Sequence, residues 1–492
     1  ARLSVAANSV ITGGVSGTGG LIKDGAGALT IKGAASYSGV TAVNAGSVTF
    51  ENNAAPTTSG FTGTGLVNIT PATASASFAA PLILNYTYGS SLTGLTIGKS
   101  GNTANITSNT AMTVAGPINL YGGNIAVNAP MTATNDTVSL NASGTVTDGA
   151  SGYVVADKLA LVGGGVTLDH TSNSVNTLAA SGVSGLTYVN AGALTIGAVN
   201  PTGISATGDV RIETLTGDLT VSENVSTTST TATALLLNAG KSTAAGTATG
   251  GNILISGTPT ISAGTGGTIR LMSGSVSGST GLTALVGSGT GRFRYNSDEV
   301  SNGYTLALSA NVVNAIYRER PTANATITSY SEIYGFDHNQ TLSNLKTDGS
   351  VVSTSRSALN GDDTVAGLGL TIGSPLYSTG TKLKVGTYAL TDGLAKLGYA
   401  MSQTGGAQLT VTQKTLSFAG LVISNKVYDG NTTANLGIGS VTLPNKIAGD
   451  VVSVSNVTGA FDTRHVGTGK TVSITAGTLT GADAANYTIS VS

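Results

Sequence analysis

Residues 118–168 read INLYGGNIAVNAPMTATNDTVSLNASGTVTDGASGYVVADKLALVGGGVTL. Within this stretch one small unit recurs: an apolar residue, any residue, a second apolar residue, then a turn of Gly, Asn, Ser, Thr or Asp. The pairs are Ile118/Leu120, Ile125/Val127, Val138/Leu140, Leu159/Leu161 and Val166/Leu168. Alternate residues of a strand point to one face, so each pair is a short strand with two inward side chains. The unit recurs from about residue 17 to 290, for example at Leu29/Ile31, Leu194/Ile196, Val210/Ile212, Leu219/Val221, Leu235/Leu237, Ile253/Ile255 and Ile269/Leu271.

The steps between pairs are short. From 118 to 138 is 20 residues and from 138 to 159 is 21; from 194 to 210 and from 253 to 269 is 16. Repeats of roughly 20–30 residues mark solenoids, and the period of two excludes helical ones. A sandwich has longer strands and turn signals about every 8–12 residues. The pattern predicts an all-β chain, a right-handed parallel β-helix over residues 1–300 followed by two small β-sandwich-like modules. In such a coil the backbone is satisfied by the coils above and below. Turns then take Gly and Asn, which reach positive φ at least cost. Gly122-Gly123-Asn124, Gly163-Gly164-Gly165 and Gly250-Gly251-Asn252 fall where turns belong.

Composition agrees. Of 492 residues 70 are Gly, 40% are hydrophobic and 9% are charged, against roughly 25% charged in ordinary domains. Disordered Gly/Ser-rich chains lack this apolar content. A net charge of −1 provides no footprint for nucleic acid or an anionic membrane. No apolar run approaches the ~18 residues of a membrane span, so no direct membrane insertion is expected. There is no Cys. Either a chain threaded unfolded through an outer-membrane pore or a repetitive core that needs no cross-link accounts for this. The absence of an initiator Met and of a signal peptide reads as a processed or internal piece of a longer polypeptide.

Near residue 290 the texture changes. Gly291-Arg292-Phe293-Arg294-Tyr295 opens a stretch richer in charge and Tyr, with Arg318-Glu319-Arg320-Pro321 beyond it, and a second change falls near Lys414. The expected boundaries are 1–300, 301–413 and 414–492.

Three segments resemble known families. Residues 17–51, with Tyr37-Ser38-Gly39 and Asn44-Ala45-Gly46 as turns, resemble the passenger-associated repeat of autotransporter proteins. Residues 320–413 resemble small β modules of filamentous-haemagglutinin-like adhesins, on Ile333-Tyr334-Gly335, Asn360-Gly361-Asp362, Val385-Gly386-Thr387-Tyr388 and Leu409-Thr410-Val411, with the Asp that usually follows Tyr-Gly displaced to Asp337. Residues 415–492 resemble the module named for its Tyr-Asp-Gly triplet. The residues are Lys426-Val427-Tyr428-Asp429-Gly430, Gly449-Asp450, Phe461, Val466-Gly467-Thr468-Gly469 and Gly481 to Tyr487. That module normally continues further, so this one reads as truncated at its C-terminal end. The resemblances imply the structural stalk and adhesive segment of a large secreted bacterial surface adhesin. They also imply export by a partner or fused outer-membrane transporter and a place at the cell surface or in the extracellular matrix. Extracellular polysaccharide or cell-surface glycans are the implied ligands. Asn200-Pro201-Thr202-Gly203-Ile204 echoes a short secretion-domain motif but sits in mid-helix and is read as chance.

The alternative is a polysaccharide lyase or hydrolase, since such enzymes also use β-helices. Glycoside hydrolysis needs two carboxylates about 5–10 Å apart. The acidic residues of the helical region are scattered, and Asp169-His170 is the one close acid/His pair. It and Asp362-Asp363 read as turns. Tandem Gly-Gly-x-Gly-x-Asp calcium repeats do not occur. No catalytic, cofactor-binding or metal-ligating residue is assigned, no cofactor is expected, and the ligand-binding residues are not assignable. Tyr428-Asp429-Gly430 reads as structure: Asp429 and Gly430 as a turn, Tyr428 as a buried anchor. Asn105, Asn224, Asn431 and Asn486 head Asn-x-Ser/Thr triplets, but these arise by chance in a Thr-rich chain and no glycan is assigned.

Overall fold

A computed structural model describes residues 1–336, 353–365, 367–404 and 406–490. It divides into two compact units, Ala1–Pro321 and Thr322–Ser492. Asp337 lies outside the described residues.

The first unit is a parallel β-helix of about 15 coils. Its rungs are in register. Ile118 lies beside Val138 and Leu120 beside Leu140; the next coil sets Leu159 on Val138 and Leu161 on Leu140, and then Leu178 lies on Leu159. All seven side chains are fully buried. A second face carries Met112–Val114 on Met131–Ala133, with Met112 on Met131. A third face runs from Leu82–Leu84 to Val313–Tyr317, through Ile106, Ile125, Val146, Val166, Leu186, Val210, Leu235 and Ile269. The parallel stack thus continues to Tyr317.

The 16-residue steps have a different meaning from the one their sequence spacing implies. Leu194 pairs with Leu219, not Val210, and Val210 pairs with Leu186 and Leu235. Ile253 pairs with Leu219, and Ile269 with Leu235. Those steps join two faces of one coil. Every face carries the same apolar-x-apolar code, so spacing alone cannot separate the next coil from the next face.

The turns are also more varied than the sequence implies. Gly163 and Gly164 both take φ 70°, as expected. Gly123 has no positive φ; it is required because a Cβ there would stand 2.2 Å from the Thr103 carbonyl of the coil below. The turn asparagines and aspartates do more than bend the chain. Asn8 accepts from the Ala28 amide, Asn105 from Asn124, Asn124 from Thr145 and Asp148 from Asp169. Each side chain caps the coil stacked on it.

The top of the stack departs from this code. Arg294 is buried and donates to the carbonyls of Gly291, Phe293, Leu306 and Ala307. Arg318 is buried and donates to those of Thr249 and Gly251. The Tyr317 ring stacks on both Phe293 and Tyr295, centroids 6.4 and 5.6 Å away.

The second unit has one hydrophobic cluster drawn from both modules expected at 301–413 and 414–492. Ile327, Tyr330, Tyr334, Leu370, Leu390, Leu409 and Val411 pack with Leu416, Val452 and Tyr487. Lys414–Leu416 pairs in parallel with Tyr487–Ile489, so the ends of the last module meet.

Leu140→Asp places a carboxylate among fully buried aliphatic side chains with no partner, at a cost of about 4 kcal/mol or more. Asn135 is exposed at φ 55°, where Gly is at ease and Ser is strained. Thermal melts should show Leu140→Asp strongly destabilised and Asn135→Gly within about 0.5 kcal/mol of the parent. Equal melting temperatures would reverse the inside/outside assignment.

Candidate functional site

In the last module Val422–Ile423 pairs antiparallel with Leu436–Gly437, and the segment between them carries the Tyr-Asp-Gly triplet. Asp429 Oδ1 accepts from the Asn431 amide at 3.1 Å and Gly430 takes φ 80°, so the pair makes the turn read from the sequence. Lys426 closes it: its Nζ stands 2.8 Å from Asp429 Oδ2 and donates to Thr433 O at 2.9 Å and to Asn431 Oδ1. The Lys426 ammonium holds the exposed Asp429 carboxyl below the usual carboxylate range.

Tyr428 is not the anchor. It is 65% exposed, and Val427 before it is 89% exposed. The Asx turn consumes Asp429 and turns its neighbour outward, so the ring never reaches the core. The aromatic anchors are Tyr487 and Tyr334, both buried, with rings edge-on at 5.1 Å. Their hydroxyls each donate to Asp450 Oδ2 at 2.5 Å, while Ser378 Oγ and the Gly380 amide donate to Asp450 Oδ1 at 2.8 and 3.0 Å. Burial, and then the bond to Asp450, raise both tyrosine pKa values far above normal.

Beside Tyr428 lies a groove of about 590 Å³. One wall is the triplet loop. The other is the turn between strands Ser453–Phe461 and Val472–Thr480, which presents Arg464, His465 and Val466 to solvent. Lys470 pins that turn at its base, 3.0 Å from Asp462 Oδ1. Among the described residues Arg464 has no ion-pair or hydrogen-bond partner. Val466-Gly467-Thr468-Gly469 belongs to the module pattern, and nothing in the sequence marks the adjacent Arg464-His465 pair.

The other sequence candidates are structural. Asp148, not Asp169, organises the turn at Asp169-His170: it accepts from the amides of both residues and from Asn173 Nδ2. The His170 ring stacks on Tyr153 at 5.4 Å. Asp362-Asp363 opens a 3₁₀ turn, Asp362–Thr364, with Asp362 buried against the Tyr399 hydroxyl. The side-chain oxygens of Asn105 and Asn224 serve as coil caps. Among the described residues no group of three or more His, Cys, Asp or Glu is placed to hold a metal.

One charged cluster has no signal in the sequence. Glu213 is fully buried on the third face, 2.7 Å from Arg211 and 3.0 Å from Lys241. Asn238 Nδ2 donates to both Glu213 and Glu299. Arg211 and Glu299 are 88 residues apart in the chain, so no local motif exposes the cluster. Burial raises the Glu213 pKa, but bonds from Arg211, Lys241 and Asn238 and the Arg211 charge outweigh it and hold the group below the ordinary 4.5.

Two outcomes follow. Asp450→Ala strands the buried Tyr334, Tyr487 and Ser378 hydroxyls and the half-buried Gly380 amide and should lower the stability of the second unit by about 3 kcal/mol, whereas Tyr428→Ala should change it by under ~0.5 kcal/mol; chemical denaturation with a tyrosine signal measures both. A depressed Glu213 pKa means its stabilising contribution is complete above the ordinary 4.5 and is lost as pH falls through the lower folded value. Melts of the parent and of Glu213→Gln should therefore differ near pH 7 and converge once pH has fallen below that depressed folded value.

Residues 412–492 match the family model of the YDG domain, and residues 21–50 match that of the passenger-associated-transport-repeat. No curated protein and no solved structure matches the chain. The matched repeat covers more than one coil: Leu21 pairs with Thr41 and Ala28 with Ser47. Its Asn44-Ala45-Gly46 turn has Gly46 at φ 64° and Asn44 bonded to Asp24 of the coil before. No helix among the described residues is long and apolar enough to cross a membrane. The two matches and the parallel β-helix together fit a secreted passenger of the autotransporter type, whose repeat implies export through an outer-membrane transporter.

Proposed function

We propose that the chain is the stalk and adhesive segment of a large bacterial surface adhesin of filamentous-haemagglutinin-like type, attaching cells to one another, to surfaces or to biofilm matrix, without catalysis of its own. The observation that carries the reading is the parallel stack of coils bearing a passenger-associated repeat. Such a stack lengthens by roughly 4.8 Å per coil and, because each coil is bonded to both neighbours, resists bending and stretching. A stiff stack with sparse, nearly balanced charge suits presentation of a binding module away from the cell. Extracellular polysaccharide and cell-surface glycans are the partners such a module meets there.

The alternative, a carbohydrate-active enzyme, has the Glu213–Asn238–Glu299 cluster in its favour. Against that reading, the Glu213 carboxylate is fully buried and engaged by Arg211, Lys241 and Asn238, which leaves it no exposed oxygen to offer a substrate.

Displayed on a non-adherent bacterium through an outer-membrane transporter, the chain should confer attachment to cells, plastic or matrix. Incubation with acidic and neutral polysaccharides should leave chain length unchanged. Cleavage that disappears in Glu213→Gln or Glu299→Gln would establish the enzyme instead, and absence of any attachment would remove the adhesive role.

A further inference from the structure

The groove beside the Tyr-Asp-Gly triplet has the features of a built ligand site. Its two walls are fixed before any ligand arrives. The triplet loop is locked by the Asp429 turn and by Lys426, which bonds to Asp429, Asn431 and Thr433. The opposite turn is pinned by Lys470 on Asp462 and on the Thr463 hydroxyl, 2.5 Å away. Preorganised loops bind without the entropy cost of ordering.

What the walls present is specific. Each lysine is matched by its own aspartate, so the ion pairs neutralise themselves. Arg464 is the one cation of the groove without a partner among the described residues. An unpaired guanidinium recognises a planar carboxylate through two parallel hydrogen bonds. Tyr428, 65% exposed, provides a flat ring whose face carries negative charge density, onto which the C–H face of a sugar packs. Small hydroxyl and amide side chains, among them Ser424, Asn425 and Thr468, share the remaining lining with the apolar Ile423, Val427, Phe461 and Val466. A volume of about 590 Å³ lies within the roughly 300–1,000 Å³ of small-ligand sites. A nucleic-acid groove would track a phosphate backbone with several free cations, and this one has a single guanidinium beside one imidazole.

We propose that the groove between the Tyr428 loop and the Arg464 turn binds an acidic saccharide, with Tyr428 stacking on a sugar ring and Arg464 clasping a sugar carboxylate. The proposal deepens the adhesive reading by naming its site and ligand class. It also reverses the expectation that the triplet touches no ligand, because that expectation required a buried Tyr428.

The test uses the whole chain and three probes: oligogalacturonate, oligomannuronate and oligosialic acid, each beside its neutral methyl ester. Binding is followed by calorimetry at low salt. At least one acid form should bind, with its ester about tenfold weaker or worse. Arg464→Gln should erase that preference, and Tyr428→Ala should weaken acid and ester alike by about tenfold or more. Both variants should melt with the parent, since both side chains are exposed. No binding of any acid form overturns the proposal, as do equal affinities for acid and ester or an Arg464→Gln chain that keeps its preference. Attachment of displaying cells is scored separately. Attachment without saccharide binding sinks this site and leaves the adhesive stalk standing; saccharide binding without attachment does the reverse.

Discussion

The in-register hydrogen bond between coils is the interaction on which the first unit depends. A coil of short strands cannot satisfy its own backbone, so each coil exists only because the next one accepts its amides. The regular stretch from Ile118 to Leu178 shows the rule, with like aliphatic side chains stacked one above another and no exposed surface. The sparse charge follows from the same constraint. A narrow interior admits modest aliphatics, and the outer faces need only small residues that do not crowd the neighbouring coil. Turn asparagines and aspartates extend the rule to the corners, where their side chains accept the next coil's amide.

Register is held by face and not by coil length. From Leu219 to Ile253 the coil is far longer than from Val138 to Leu159, yet both pairs lie side by side. The extra residues leave as excursions from a corner, which costs little because loop-closure entropy rises slowly with length. At the top of the stack the aliphatic code gives way to Arg294, Arg318 and the Tyr317 stack. Arg294 and Arg318 donate to carbonyls of the excursions and the cap, and the aromatic stack fills the space between. A solenoid needs such an atypical terminal coil to avoid an open, aggregating edge.

The second unit is organised by a polar centre instead of a repeat. Asp450 collects four donors, from Tyr334, Ser378, Gly380 and Tyr487, and so ties the two expected modules into one core. A buried carboxylate of this kind is unforgiving, since each lost partner leaves a desolvated group unpaired. Its consequence for function is indirect. With Tyr334 and Tyr487 supplying the core, Tyr428 is free to stand outside, and the loop carrying it can be rigid without being buried.

The fold class is legible in local sequence alone. The period-two apolar pairs and the turn residues between them are local signals, and a coil is a local object. Local sequence also determines the turn at Asp429-Gly430, because an Asx turn needs only neighbours. Which pairs stack was decided by the tertiary structure: Leu194 and Val210 carry identical local codes but occupy different faces. The same holds for side chains whose partners lie far along the chain. Glu213 meets Glu299 through Asn238, and Tyr334 meets Tyr487 at Asp450, over separations that no motif spans. Tyr428 shows the limit plainly. An aromatic residue in a small, Trp-free module reads as core, but whether it is core depends on which other rings reach the centre first, and here two others do.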